Sequence, residues 1–285
     1  MPTLLSFGHG YSARALTPRL LAEGWRVIGT TRSAEKAEML RAEGVEPILF
    51  GADLPLDDVT HILTSAAPDD DGDPVLRAYF PVLEPVLGRM TWLGYLSTTG
   101  VYGDHGGGWV DEETALQPST RRGEMRVAAE AAWRDLADRT GAPLNIFRLA
   151  GIYGPGRGPF AKVRNGTARR IVKPGQVFSR IHVDDIAQVL HAAIRRVRPG
   201  AVYNLCDDDP APPEDVIAHA AELLGLPVPD AEHFEMAEMS PMARSFYAES
   251  KRVRNDRIKS ELGVRLRFPD YRAGLADLLR REGDT

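Results

Sequence analysis

The first residues whose types and spacing imply chemistry are Gly8-His9-Gly10-Tyr11-Ser12-Ala13. Two glycines spaced G-x-G follow the apolar run Leu4 to Phe7 and precede a helical pattern. A turn of this kind holds a dinucleotide pyrophosphate. Gly8 permits the tight turn, Gly10 lets backbone N–H groups approach phosphate oxygens, and Ala13 keeps the helix close to the strand. The helix opening at about Ser12 adds unpaired N–H groups and the positive end of its dipole. A plain strand-to-helix turn looks the same in isolation, so residues further along must decide.

The next apolar run ends in Thr31-Arg32-Ser33, where a dinucleotide fold meets the adenosine ribose. An acidic residue there would bond the ribose 2′-hydroxyl and select NAD. A guanidinium flanked by hydroxyls instead grips a 2′-phosphate, so the expected cofactor is NADP, with NAD second; the plainer alternative for Arg32 is a solvated loop charge. A third group is Ser97-Thr98-Thr99, consecutive hydroxyls at a strand end running into a glycine-rich loop.

The elements that position these groups alternate. Strands at Leu4 to Phe7, Trp25 to Thr30, Val45 to Phe50, Ile62 to Pro68 and the run ending at Thr98 are separated by helices at 34–43 and 75–87. That alternation predicts an α/β fold with a parallel, doubly wound sheet, whose ligand crevice lies at the carboxyl ends of the strands. Ser65, Ala66 and Ala67 are small residues at such an end and leave room for a ligand. Further helices are expected from Val183 to Ile194, from Pro213 to Leu224 and from Asp270 to Arg281, with a late strand at 202–205 and a long lobe segment or lid over 227–250.

The 285 residues, 43% hydrophobic and 26% charged, suit one large or two modest domains. A net charge of −5 gives no electrostatic reason for nucleic acid or an anionic membrane as partner. One cysteine, Cys206, excludes a disulfide framework and fits a reducing compartment. With no membrane-length apolar run and no basic flank before the first one, the expected location is the cytoplasm. Asp69-Asp70-Asp71-Gly72-Asp73 lacks the spacing and terminal Glu of a calcium loop, so no metal site is expected.

With those residues placed, the chain resembles the extended short-chain dehydrogenase/reductase family, the NAD(P)-dependent epimerases and dehydratases of nucleotide sugars. The matching stretches are the glycine turn, Gly51-Ala52-Asp53-Leu54, Ser97 to Asp104, Arg148 to Gly156 and Ile181-His182-Val183-Asp184-Asp185. The resemblance implies a Rossmann core over residues 1–155 and a small substrate lobe over 156–285, with 181–205 returning to the core. It implies that Asp53 and Leu54 border the adenine, that Ser65, Ala66 and Ala67 line the phosphate and ribose path, and that Thr98 is the active-site hydroxyl.

The family's proton-transfer pair, a Tyr and a Lys four residues apart on the next helix, is absent: no Tyr or Lys occurs between Asp104 and Ile152. Taking Glu130 as the glutamate that follows the Lys puts Arg126 at the Lys position and Arg122 at the Tyr position. Arg126 would keep positive charge by the nicotinamide ribose. Arg122 cannot give up a proton near neutral pH, but it would stabilise an oxyanion or grip a substrate anion. The plainer reading of both is a solvated helix face. The pattern resembles the atypical subgroup that lacks the catalytic tyrosine. Thr99, Tyr153, Arg157 and Arg180 are candidate substrate contacts; Tyr102, Tyr153 and His182 are weaker proton-donor candidates, and His182 is better placed to cap a loop. A second copy of the chain is a candidate partner through Ala128, Ala129, Ala131 and Ala132. The expected activity is an NADP-dependent oxidoreductase, or an epimerase/dehydratase-like one, on a carbonyl or hydroxyl of an anionic, nucleotide-sugar-like small molecule. The alternative is a non-catalytic NADP(H)-binding sensor or scaffold.

Overall fold

The computed structural model describes residues 1–283. Thirteen strands occur among them: β1 (Thr3–Phe7), β2 (Arg26–Thr31), β3 (Glu46–Leu49), β4 (His61–Thr64), β5 (Trp92–Thr98), β6 (Trp109–Val110), β7 (Leu144–Leu149), β8 (Gly151–Tyr153), β9 (Arg170–Val172), β10 (Arg180–His182), β11 (Val202–Leu205), β12 (Ala231–His233) and β13 (Arg252–Val253). The helices are α1 (Tyr11–Ala22), α2 (Ala34–Ala42), α3 (Pro74–Leu87), α4 (Arg121–Thr140), α5 (Phe160–Arg164), α6 (Val183–Arg195), α7 (Pro213–Leu223), α8 (Pro241–Phe246), α9 (Asp256–Ser260) and α10 (Tyr271–Gly283).

Seven strands form one parallel sheet in the order β11-β7-β5-β4-β1-β2-β3, so the order reverses between β1 and β4. The central strands are buried along their whole length and are accordingly rich in apolar residues. Within β1 the side chains alternate between two cores. Leu4 packs with Leu16 and Leu20 of α1 and with Ile186 and Leu190 of α6. Leu5 and Phe7 pack with Tyr79 and Leu83 of α3 and with Trp133 and Leu136 of α4. The two-residue period of a strand thus divides one short run between the two faces of a doubly wound sheet.

Beyond the carboxyl ends of the strands, Phe160, Val163, Ala220, Tyr271, Leu275 and Leu278 build a separate small core with Tyr153. The 227–250 stretch contributes only β12 and α8, and loops tie it back: Gln176 donates to the Glu249 carbonyl and Ser119 to the Glu249 carboxylate. Ala129 lies in the α3–α4 core, whereas Ala128, Ala131 and Ala132 face solvent, so the four do not share one face. No helix among the described residues is long and apolar enough to cross a membrane.

Candidate functional site

The glycine turn sits where the strand order reverses. Gly8 has φ +69°, a left-handed conformation that favours glycine, and a Cβ there would stand 3.1 Å from the Ala66 amide nitrogen. The turn is stapled from both neighbouring strands. Gly8 N–H donates to Thr30 Oγ1 at 2.9 Å, His9 N–H to the Thr30 carbonyl at 3.1 Å, and Ser65 Oγ to the Gly8 carbonyl at 2.5 Å. Gly10 caps α1 without any side-chain bond to its first amides, and a Cβ at Gly10 would meet only the Gly8 carbonyl, at 3.6 Å. The amides of Tyr11, Ser12 and Ala13 therefore stand at an open, uncapped helix start, while the Ala13 side chain is buried against the sheet. Backbone donors and a space free of side chains are what a pyrophosphate requires, and the cradle fits one.

Sequence reasoning passed over His9, which braces this turn from behind. Its Nε2 pairs with Thr17 Oγ1 at 3.0 Å, and its ring lies so close to Gly29 that a Cβ there would be 2.8 Å away. Burial pushes its pKa down to about 4, so the ring is neutral.

At the end of β2, Thr31 is buried and Ser33 caps α2 by accepting from Lys36 N–H. Arg32 between them is exposed and carries no hydrogen bond or ion pair among the described residues. Asp53 is exposed, Leu54 packs with Phe50 against the α3 core, and Ala67 is exposed at the far lip of the crevice.

On the other side of the crevice, neighbouring hydroxyls of β5 take opposite roles. Ser97 points inward and donates to Glu130 Oε1 at 2.6 Å. The Glu130 carboxylate takes a two-pronged pair from Arg148, at 3.1 and 2.8 Å, and Arg148 also donates to the Tyr102 hydroxyl, which donates to Asn204. Thr98 is half-exposed at the strand end, where Oγ1 accepts from Gly100 N–H at 3.2 Å. Thr99 is buried behind it. The first turn of α4 presses on this loop: a Cβ at Gly123 would be 2.9 Å from the Gly100 carbonyl. Arg122 and Arg126 ride on that turn and the next. Arg126 Nη1 donates to the Leu96 carbonyl at 2.8 Å and to the Tyr95 hydroxyl at 3.0 Å. Arg122 is exposed, its guanidinium stacked 4.9 Å from the ring centre of Phe246 on α8.

The sequence model of the NAD-dependent epimerase/dehydratase family matches residues 88–206, the span from β5 to β11 that holds these groups. From β5 to β11 the chain carries the domain of that family. A functionally unknown conserved protein from Silicibacter pomeroyi is 59% identical, covers 99% of both chains and superposes with a TM-score of 0.95. Protein YeeZ of Escherichia coli K12 is 28% identical over 280 residues, 92% of this chain and 95% of its own length. The UDP-glucuronic acid 4-epimerase of Bacillus cereus, solved with UDP-glucuronic acid and NAD, is 17% identical with a TM-score of 0.75 over 98% of this chain and 99% of its own, a likeness of fold.

Within this epimerase/dehydratase framework the remaining candidates separate. Tyr102 is fully buried, its hydroxyl held between Arg148 and Asn204 and its pKa pushed up to about 12 by burial, so it presents no proton to the crevice. His182 is buried and caps α6, its Nδ1 accepting from Asp184 N–H, and burial lowers its pKa to about 4. Tyr153 packs in the small core with its hydroxyl under Gly274 and the Asp270 carbonyl. Arg180 is committed to the carbonyls of Phe178 and Ala211. The structure therefore presents neither Tyr153 nor Arg180 as a free substrate-gripping group. Arg157 instead stacks on Tyr11, with its guanidinium carbon 4.3 Å from the ring centre. The acidic run 69–73 is committed locally: Asp73 caps α3, Asp69 pairs with Arg77 and Asp70 with Arg121. The buried Glu130–Arg148 pair was not legible as a unit, because its two members lie 18 residues apart on different elements, α4 and β7.

Proposed function

We propose that this protein binds NADP in the crevice between β1 and β4 and reduces, oxidises or epimerises a carbonyl or hydroxyl carbon of an anionic small molecule. The observation that carries the reading is the pairing of an uncapped α1 amide cradle with an exposed Arg32 one strand away, whose side chain has no partner among the described residues. Gly8, Gly10 and the amides of Tyr11, Ser12 and Ala13 would hold the pyrophosphate. Arg32, with Thr31 and Ser33, would hold the 2′-phosphate, and Asp53, Leu54, Ala66 and Ala67 would border the adenosine half. Ser65 would act indirectly, fixing the turn through the Gly8 carbonyl.

When bound, the nicotinamide supplies or accepts hydride. The chain's own residues orient and polarise. Thr98 would hold the substrate oxygen at the strand end, Arg126 would keep positive charge beside the nicotinamide ribose, and Arg122 at the mouth would neutralise an anionic group on the substrate. Residues 156–285, without 181–205, would form most of the substrate side. A sugar nucleotide is the first substrate class to try, because the Bacillus cereus epimerase of the same fold was solved with UDP-glucuronic acid.

The missing Tyr–Lys pair supports a second reading, a nucleotide-binding sensor without turnover. One experiment addresses both: calorimetric titration with NADPH and NADH, then a 340 nm assay against carbonyl compounds and sugar nucleotides. The expected result is tighter NADPH binding that drops at least about tenfold in Arg32→Ala while NADH binding is unchanged. Turnover abolished by Thr98→Ala supports the enzyme. Binding with no turnover across the panel supports the sensor, and no binding of either nucleotide overturns both.

A further inference from the structure

Tyr11 opens α1, and its side chain is held by the chain's second half. The hydroxyl donates to the Pro155 carbonyl at 3.0 Å, and the ring carries the Arg157 guanidinium at 4.3 Å. The loop that delivers these contacts is tight. Gly154 and Arg157 bond each other's backbone in both directions, at 3.1 and 2.8 Å. A Cβ at Gly154, whose φ is +152°, would fall 2.6 Å from the Tyr11 hydroxyl. An open cleft of about 710 Å³ lies here between α1, the loop and the start of α6.

The charges lining this cleft are unequal. Arg14 pairs with Glu43, and Asp184 with Arg281 and Arg267. Arg157 has no hydrogen bond or ion pair from its side chain among the described residues; the Tyr11 ring is its recorded contact. A cation resting on an aromatic face keeps its N–H donors free for an anion, and the ring that carries this one belongs to Tyr11, the first residue of the uncapped helix start.

We propose that Arg157 is a cofactor residue, supplying a guanidinium from the second half of the chain to the pyrophosphate on the α1 cradle, with Tyr11 as the platform that aims it. The proposal rests on reading the glycine turn as a dinucleotide site, and it moves Arg157 from the substrate side to the cofactor side.

The test titrates the full chain with three probes: NADPH; ADP-ribose, which keeps the pyrophosphate and lacks nicotinamide; and adenosine 2′-monophosphate, which lacks the pyrophosphate. Arg157→Ala is expected to weaken NADPH and ADP-ribose about tenfold or more and to leave adenosine 2′-monophosphate within about twofold. Arg157→Lys should recover most of the loss, because it restores the charge. Arg157 is exposed, so both variants should melt with the wild type. Unchanged NADPH binding in Arg157→Ala, an equal loss for all three probes, or a lysine variant as weak as alanine each overturns the role. Wild-type protein that binds none of the probes overturns the glycine-turn reading itself, an outcome separate from the other three.

Discussion

At the scale of single residues, the buried Glu130–Arg148 pair and the exposed Arg122 make opposite predictions. Glu130 is 1% exposed and accepts from Ser97 and Arg148. Truncating it leaves a guanidinium buried without its counter-charge, so Glu130→Ala should destabilise by about 3–5 kcal/mol in chemical denaturation. A loss under about 1 kcal/mol would mean that Arg148 finds another partner. Arg122→Ala should leave stability within about 0.5 kcal/mol, since among the described residues the guanidinium meets the Phe246 ring and no ion-pair partner, and should raise KM for an anionic substrate more than it lowers kcat. An unchanged KM would reduce Arg122 to a lobe contact. The two residues also show where sequence reading stops. Glu130 is legible as a position in a family pattern, but its partner is found only when β7 is laid beside β5. Tyr102 and Tyr153, hydroxyl residues beside glycines, look available in the sequence; only packing shows that one lies between Arg148 and Asn204 and the other under Gly274.

At the scale of elements, the strand–turn–helix at the amino end was readable because its requirements are local: an apolar run, two glycines and a helical period. The brace behind it was not, because His9 acts through β2. A Cβ at Gly29 would meet the His9 ring at 2.8 Å and Val45 at 3.0 Å, in a core with no slack. Gly29→Ala should therefore cost about 1–3 kcal/mol and weaken nucleotide binding by disturbing the turn. The double variant Gly29→Ala/His9→Gly, which removes both the His9 Cβ and the ring at 2.8 Å, should recover part of that loss, a favourable coupling detectable as non-additivity in thermal melts. Strict additivity would show that the ring and the new methyl do not meet. Of the sheet strands, β1, β2, β3, β4, β5 and β11 were legible to within a few residues from their apolar runs, whereas β7, which carries Asn145 and Arg148 in its buried run, was not picked out. The 227–250 stretch was not, since α8 and β12 are held by side chains reaching in from distant loops.

At the scale of the whole molecule, buried titratable groups should set how stability varies with pH. Burial holds His9, His61 and His182 near a pKa of about 4, below the 6.5 of an exposed histidine. As pH falls from 6.5 toward 4 the unfolded chain takes up protons that the fold refuses, and stability drops. Asp207, buried just past β11, has its pKa pushed up to about 8 by burial, against an ordinary value near 3.8. Between those values the folded carboxyl holds a proton that the unfolded chain has released, so stability falls as pH rises through that window and levels off above about 8. Melts of wild type and Asp207→Asn from pH 5 to 9 should diverge toward alkaline pH, the variant losing less; parallel curves would mean that Asp207 is ionised and solvated. The sheet order bears on the timing of synthesis as well. β7 stays an open edge until β11 arrives, about fifty residues later. At ordinary elongation rates of about 5–20 residues per second, that leaves Leu144–Leu149 unpaired on one side for roughly three to ten seconds on the ribosome. An apolar strand exposed for that long invites association with neighbouring nascent chains, so the interval is one in which a chaperone would be most useful to this protein.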